Sequence, residues 1–229
     1  MPDTVEHTGL LVPKSLQETV YRLEEARLGF RASSKGETKE ALDWVLGRQG
    51  LKGSYRNLFA PTEKDMSEGL QRLTGERYPG RGALTSHSLG EEALRAVILW
   101  NQNSHPSAIK ALGSFEEMVN GHQNGFYCCY NCTPAFLRTL SVVKLNGRDE
   151  ILEKGIGNIR KARTSDGRWR GFPFYYTLLT LSDINVPSAK DELRYVGKTA
   201  QKLVKKYENK DDRASRFRAI GLEAAVDAV

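Results

Sequence analysis

No apolar run in this chain approaches the ~20 residues that a membrane-spanning helix requires. The longest, such as AVILW at 96–100, are a handful of residues. The opening MPDTVEHTGLLVPKS lacks a basic region followed by an apolar core, so no secretory signal peptide is expected there. Cysteine is scarce: three residues, all between positions 128 and 132. Cysteines so close together cannot staple distant parts of a fold. They suit reduced thiols better than a secreted disulfide framework, and a cytoplasmic location is the matching expectation. There is no phosphate-cradling glycine loop, no paired-carboxylate spacing and no nucleophile elbow, which leaves enzymatic activity without a motif.

What is present is an ordinary globular composition, 39% hydrophobic and 27% charged over 229 residues. That length can bury a substantial core. The expectation is one domain over 1–229, with 1–12 flexible. The net charge of +6 is unevenly placed: residues 138–229 hold 19 Lys and Arg against 12 Asp and Glu. A basic C-terminal part favours anionic partners, but solvated helix faces explain most such charge.

Almost every apolar segment has a helical period, and none alternates as a half-buried strand does. In SAKDELRYVGKTAQKLVKKY (188–207), Leu193, Val196, Ala200, Leu203 and Tyr207 form one stripe, with Lys190, Arg194, Lys198, Lys202 and Lys206 opposite. Ser88 and Glu91 have capping-box spacing. Thr133-Pro134 reads as an N-cap followed by a first-turn proline, and Pro173 as another proline start. Ten helices are predicted, at about 14–30, 37–49, 62–74, 88–101, 106–120, 133–145, 148–163, 173–184, 188–207 and 213–227.

Three segments repeat at about 42 residues: RGALTSHSLGEEALRAVIL, NGFYCCYNCTPAFLRTLSVV and DGRWRGFPFYYTLLTLSDI. Each is a glycine turn, an irregular loop and an apolar helix, with a more polar helix beside it. Such periods mean stacked helical hairpins sharing a core. Helix 173–184 is apolar nearly all round and 188–207 has one wet face. That inner–outer alternation points to an all-α, small α/α toroid of about ten helices. The alternative is an open HEAT-like solenoid that binds nucleic acid or a protein through its basic C-terminal half.

SDGRWRGFPFYYTLLTL resembles the repeat of the prenyltransferase and terpenoid-cyclase superfamily, in which an outer helix ends in an Asp-Gly-aromatic turn before an inner helix. Asp166, Gly167 and Trp169 match that turn; Gly125 with Phe126, and Gly82 with Ala83, match it more loosely. The resemblance spans roughly residues 62–227, and the first unit, with the Gly-rich loop 47–61, departs from the spacing. It implies a toroid with a central apolar cavity, which in catalytic members receives isoprenoid chains. It does not extend to the catalytic motifs. The acidic proton-donor motif is absent, Asp211-Asp212 lying in a hydrophilic NKDDR stretch. Neither the zinc ligands of the protein prenyltransferases nor the motifs of the lanthionine-forming cyclases can be matched.

The repeat sets Ser86 and His87 opposite Cys129 and Tyr130, and Arg170 and Gly171 opposite Cys128 and Cys129. If the hairpins stack in register, His87, Cys129, Cys132 and Arg170 approach one rim. Cys129 and Cys132, with His87, form a candidate set for a thiophilic metal such as zinc, with His105 and His122 as further imidazoles. Two other readings stay open: buried structural thiols, and a redox pair at a helix start, where the helix dipole favours a thiolate. Cys128 is expected to face away from its neighbour. Phe172, Phe174 and Tyr175 are candidates to line an apolar-ligand site, with Arg170 anchoring an anion; aromatics on an inner helix are also ordinary core. The working function is binding of an apolar or metal-dependent ligand at the ring's mouth. An apolar small molecule or a protein is the expected partner, ahead of nucleic acid.

Overall fold

The computed structural model describes residues 9–78 and 83–229, the side chains of 83–85 excepted. Gly82, the first glycine of the repeat, lies outside the described residues. The fold is all-α. Among the described residues the helices are α1 (Leu16–Arg27), α2 (Lys35–Leu46), α3 (Glu63–Glu68), α4 (Ala83–Leu99), α5 (Pro106–Asn120), α6 (Thr133–Leu140), α7 (Arg148–Arg160), α8 (Phe174–Asp183), α9 (Pro187–Val204) and α10 (Arg213–Asp227). The one sheet is a hairpin of β1 (Arg163–Thr164) and β2 (Arg168–Trp169). No described helix is long and apolar enough to cross a membrane.

Each predicted helix is present, with instructive changes at the ends. The third stops at Glu68 rather than near 74 because Gly69 turns left-handed at φ +81°. The chain then folds back so that Gln71 pairs with Arg77. The fourth begins at Ala83, which leaves Ser88 and Glu91 inside the helix and fully buried. The capping box expected there does not form, since Ser88 has helix on both sides. Real boxes close α2 (Ser34 with Glu37) and α3 (Thr62 with Asp65). At α6 the cap position belongs to Cys132, and Thr133 has moved into the first turn.

The chain forms two compact units, Met1–Leu70 with Arg81–Ser114 and Gln71–Gly80 with Phe115–Val229. In the first, α1 and α2 pack on α4, which is buried continuously from Ser86 to Val97. Gly90 lets α4 approach the 58–59 segment, where an added Cβ would stand 2.9 Å from the Leu58 Cβ. The buried Arg95 of α4 donates to Glu24 of α1 at 2.8 Å, and Glu24 also binds Arg27.

In the second unit α6 packs on α8, α7 on α9, and α10 on both α8 and α9. Successive apolar helices therefore meet one another, as do successive polar ones. Helix α8 buries Phe174, Tyr176, Thr177, Leu178, Leu179, Thr180 and Leu181, most of its circumference. Helix α9 buries Leu193, Val196 and Ala200 and exposes Lys190, Arg194, Lys198 and Lys202. Reversing Lys198 and Lys202 to Glu is expected to change unfolding free energy by no more than about 0.5 kcal/mol per site in urea titrations. A larger loss would mean that this face supports the fold.

The two repeat turns of this unit share one device. Gly125 (φ +69°) and Gly167 (φ +73°) are both left-handed, and both sit against a neighbouring helix. The Asp166-Gly167 turn closes the β1–β2 hairpin, and the Thr199 hydroxyl on α9 donates to the Asp166 carbonyl at 2.9 Å. Below it Glu192, with 0% exposure, accepts from Arg160 Nε (2.8 Å), Arg163 Nη2 (2.8 Å) and Trp169 Nε1 (3.0 Å). The Asp-Gly-aromatic turn is thus pinned to α9 through its aromatic.

Candidate thiol site

The loop from Phe126 to Cys132 is built around Thr133. Its hydroxyl accepts from the Tyr127 N–H at 3.0 Å and lies 3.0 and 2.9 Å from the carbonyls of Tyr127 and Cys129. The Cys129 carbonyl also receives the N–H groups of Cys132 and Thr133. These bonds hold Cys129 and Cys132 one turn apart, with their sulfurs 3.4 Å from each other. Cys128 adopts φ +54°, a left-handed conformation that is unusual for a side-chain-bearing residue. That turn brings its sulfur within 4.8 Å of Cys132. The buried Cys132 sulfur thus has both the half-buried thiol of Cys129 and the exposed thiol of Cys128 near it.

Aromatic packing fixes this loop from both sides. Tyr127 stacks on Phe136 of α6 at 5.2 Å, with His122 at its edge. Tyr130 lies between Phe126 (5.3 Å) and Phe172 (5.1 Å), against Gly171, whose missing Cβ makes room for the Tyr130 ring. From below, the buried guanidinium of Arg72 donates to the Asn131 carbonyl at 3.0 Å and lies 3.9 Å from the centre of the Tyr78 ring. Arg72 and Thr133 are the supports that sequence reasoning missed. Thr133 was visible as a helix-start residue, but Arg72 acts from 59 residues away.

The other candidate residues are distributed as follows. Arg170 is exposed, and its N–H donates to the Ala162 carbonyl at 2.8 Å. Phe172 is buried against Tyr130, beside the thiol loop. Phe174 packs on Trp169 and Tyr175, with the Arg168 guanidinium 4.8 Å from its ring. Tyr175 belongs to a different cluster, at the start of α8. There Glu76 caps the helix by accepting the N–H groups of Tyr175 and Tyr176. The Tyr175 and Tyr207 hydroxyls share a 3.0 Å hydrogen bond. Burial, then that bond, pushes the Tyr175 phenol up to about 12. Burial also acts to raise Tyr207, but its bonds to Tyr175 and Arg218 outweigh it and draw that phenol below its ordinary value.

His87 lies on α4 in the first unit. Its Nδ1 stands 3.3 Å from the Ser88 hydroxyl and 3.5 Å from Glu91 Oε1, and its ring packs on Tyr55 at 5.5 Å. The buried Glu91 carboxylate stands beside the imidazole. His122 and His105 are engaged locally, with the Met118 carbonyl and the Ser107 N–H.

The sulfur geometry can be set against coordination chemistry. Tetrahedral zinc with Zn–S of about 2.3 Å separates two thiolates by roughly 3.8 Å. The 3.4 Å contact and the upper bound of 4.8 Å bracket that value. Compared with known proteins, the chain matches no family model and no curated protein.

Proposed function

We propose that the protein binds a thiophilic metal ion, zinc or a softer ion, through Cys129 and Cys132 with Cys128 as a third thiolate. The observation that carries this reading is the position of the Cys132 sulfur at the start of α6, 3.4 Å from that of Cys129 and within 4.8 Å of that of Cys128. Three ligands leave a coordination position for a ligand or water, as in metal sites that do chemistry rather than hold structure. Exposure of Cys128 gives that position access to solvent. Arg170, exposed in the loop whose Gly171 touches Tyr130, is the proposed anchor for an anionic group on such a ligand. The stacking of α6 on α8 and of α7 on α9 supports reading the repeats as part of an α/α toroid.

A titration of the reduced chain with Co(II) tests the proposal. Thiolate-to-metal charge-transfer absorption is expected at one equivalent. Cys129→Ser and Cys132→Ser are each expected to weaken binding by roughly 100-fold or more, and Cys128→Ser by about tenfold. Metal binding that is unchanged in Cys129→Ser would end this reading. So would a wild-type chain that gives no charge-transfer band, whereupon the 3.4 Å contact would favour a dithiol that closes to a disulfide.

A further inference from the structure

A groove in the first unit is lined by none of the thiol-loop residues. It has a volume of about 950 Å³ and runs between the approach to α1, the loop after α2 and the start of α3. Part of its lining is apolar: Leu51, Pro61 and Met66 contribute to it. Leu51 is 48% exposed, among the few large apolar side chains open to solvent. Around it stand four cations, Lys14, Arg48, Lys52 and Lys64, against one lining carboxylate, Glu63.

Arg48 is the fixed member of that set. Its Nε donates to the Ala60 carbonyl at 2.5 Å and its Nη2 to the Pro61 carbonyl at 2.9 Å. Burial pulls its pKa down from the ordinary arginine value, with Asp65 opposing. A partly desolvated guanidinium bound to two carbonyls gains from an incoming carboxylate.

We propose that this groove docks an acidic peptide segment of a partner protein, with an apolar side chain set against Leu51 and Met66 and flanking carboxylates at Lys14, Arg48 and Lys52. The cations supply charge complementarity and the exposed leucine supplies the anchor. A polyphosphate chain would use the cations but not the apolar lining. A bilayer presents a flat face, which a recessed groove cannot follow.

The test is fluorescence anisotropy on the full chain. The probe is a labelled nonapeptide of glutamates around one central leucine. The comparators are the same peptide with serine at the centre, its lysine counterpart, an oligothymidylate and phosphatidylserine vesicles. Expected is micromolar binding of the leucine-centred acidic peptide, weakened by salt. The double variant Lys14→Glu/Lys52→Glu should lose at least about tenfold, with an unchanged melting temperature. Leu51→Ser should lose several-fold for the leucine peptide and nothing for the serine one. No detectable binding of the acidic peptide, equal binding of the lysine peptide, or indifference to the double reversal would each overturn the proposal. Tighter binding of the oligonucleotide or the vesicles, lost in the same variants, would overturn it in favour of a polyanion surface.

Discussion

Gly125→Ala is expected to cost about 3 kcal/mol or more of unfolding free energy, enough to remove a large part of an ordinary domain's stability. Two effects add. An alanine at φ +69° has the left-handed backbone penalty of about 1–2 kcal/mol. Its Cβ would also lie 2.4 Å from the Gly155 nitrogen, 2.5 Å from the Gly155 Cα and 2.5 Å from the Ile151 carbonyl oxygen. These are backbone atoms of α7, so no side chain can swing aside, and overpacking of this kind adds about 1–3 kcal/mol. Gly147 separates the two effects, because it has φ +72° with nothing within 4 Å. Gly147→Ala should therefore lose only the backbone part. Chemical denaturation of the two variants checks the difference; equal losses would show that the close approach of the 125 turn to α7 does not matter.

Glu192→Ala is the second large effect, expected at about 2–3 kcal/mol. The carboxylate is wholly buried, and removal leaves the Trp169 N–H without its acceptor inside the fold. Arg160 and Arg163 are partly exposed, at 44% and 34% of their side chains, and can turn to water. The loss is therefore placed below the 3–5 kcal/mol typical of a fully buried pair that loses one partner. Glu192→Gln keeps an acceptor for Trp169 and should lose clearly less than alanine. Unfolding followed by tryptophan fluorescence measures both; a glutamine variant as damaged as the alanine one would assign the whole effect to charge rather than to the hydrogen bond.

How legible all this was in the sequence depends on the kind of signal. The helices came from periodicity, which burial enforces over many residues: α8 is buried over most of its circumference, as its apolar sequence implies, and α9 buries Leu193, Val196 and Ala200 while Lys198 is exposed. Single-residue signals did worse. Ser88 and Glu91 have the spacing of a cap, but the same spacing occurs inside any helix, and only the burial of α4 decides between them. Glu192 shares the four-residue spacing of Val196 and Ala200, so its place on the buried stripe was readable. Its partner Trp169, in a turn 23 residues earlier, was not. At the thiols, the pairing of Cys129 with Cys132 follows from their three-residue spacing in the turn ahead of α6. The approach of Cys128 to Cys132 does not, because it depends on a left-handed backbone at a residue that rarely takes one. The loop 47–61 read only as a break in the repeat; the fold-back that pairs Gln49 with Phe59 turns it into one wall of a groove.

The central claim is that the three thiols of the α6 loop make one metal site. Native mass spectrometry of the reduced chain, with elemental analysis of the same sample before and after chelation, tests it most directly. The account predicts one zinc or softer ion per chain, removable by chelator, restored by added metal, and absent from a Cys129→Ser/Cys132→Ser variant that is still folded by circular dichroism. A wild-type chain that takes up no metal when zinc is added in excess under reducing conditions, or a folded double variant that still holds one ion per chain, would contradict it.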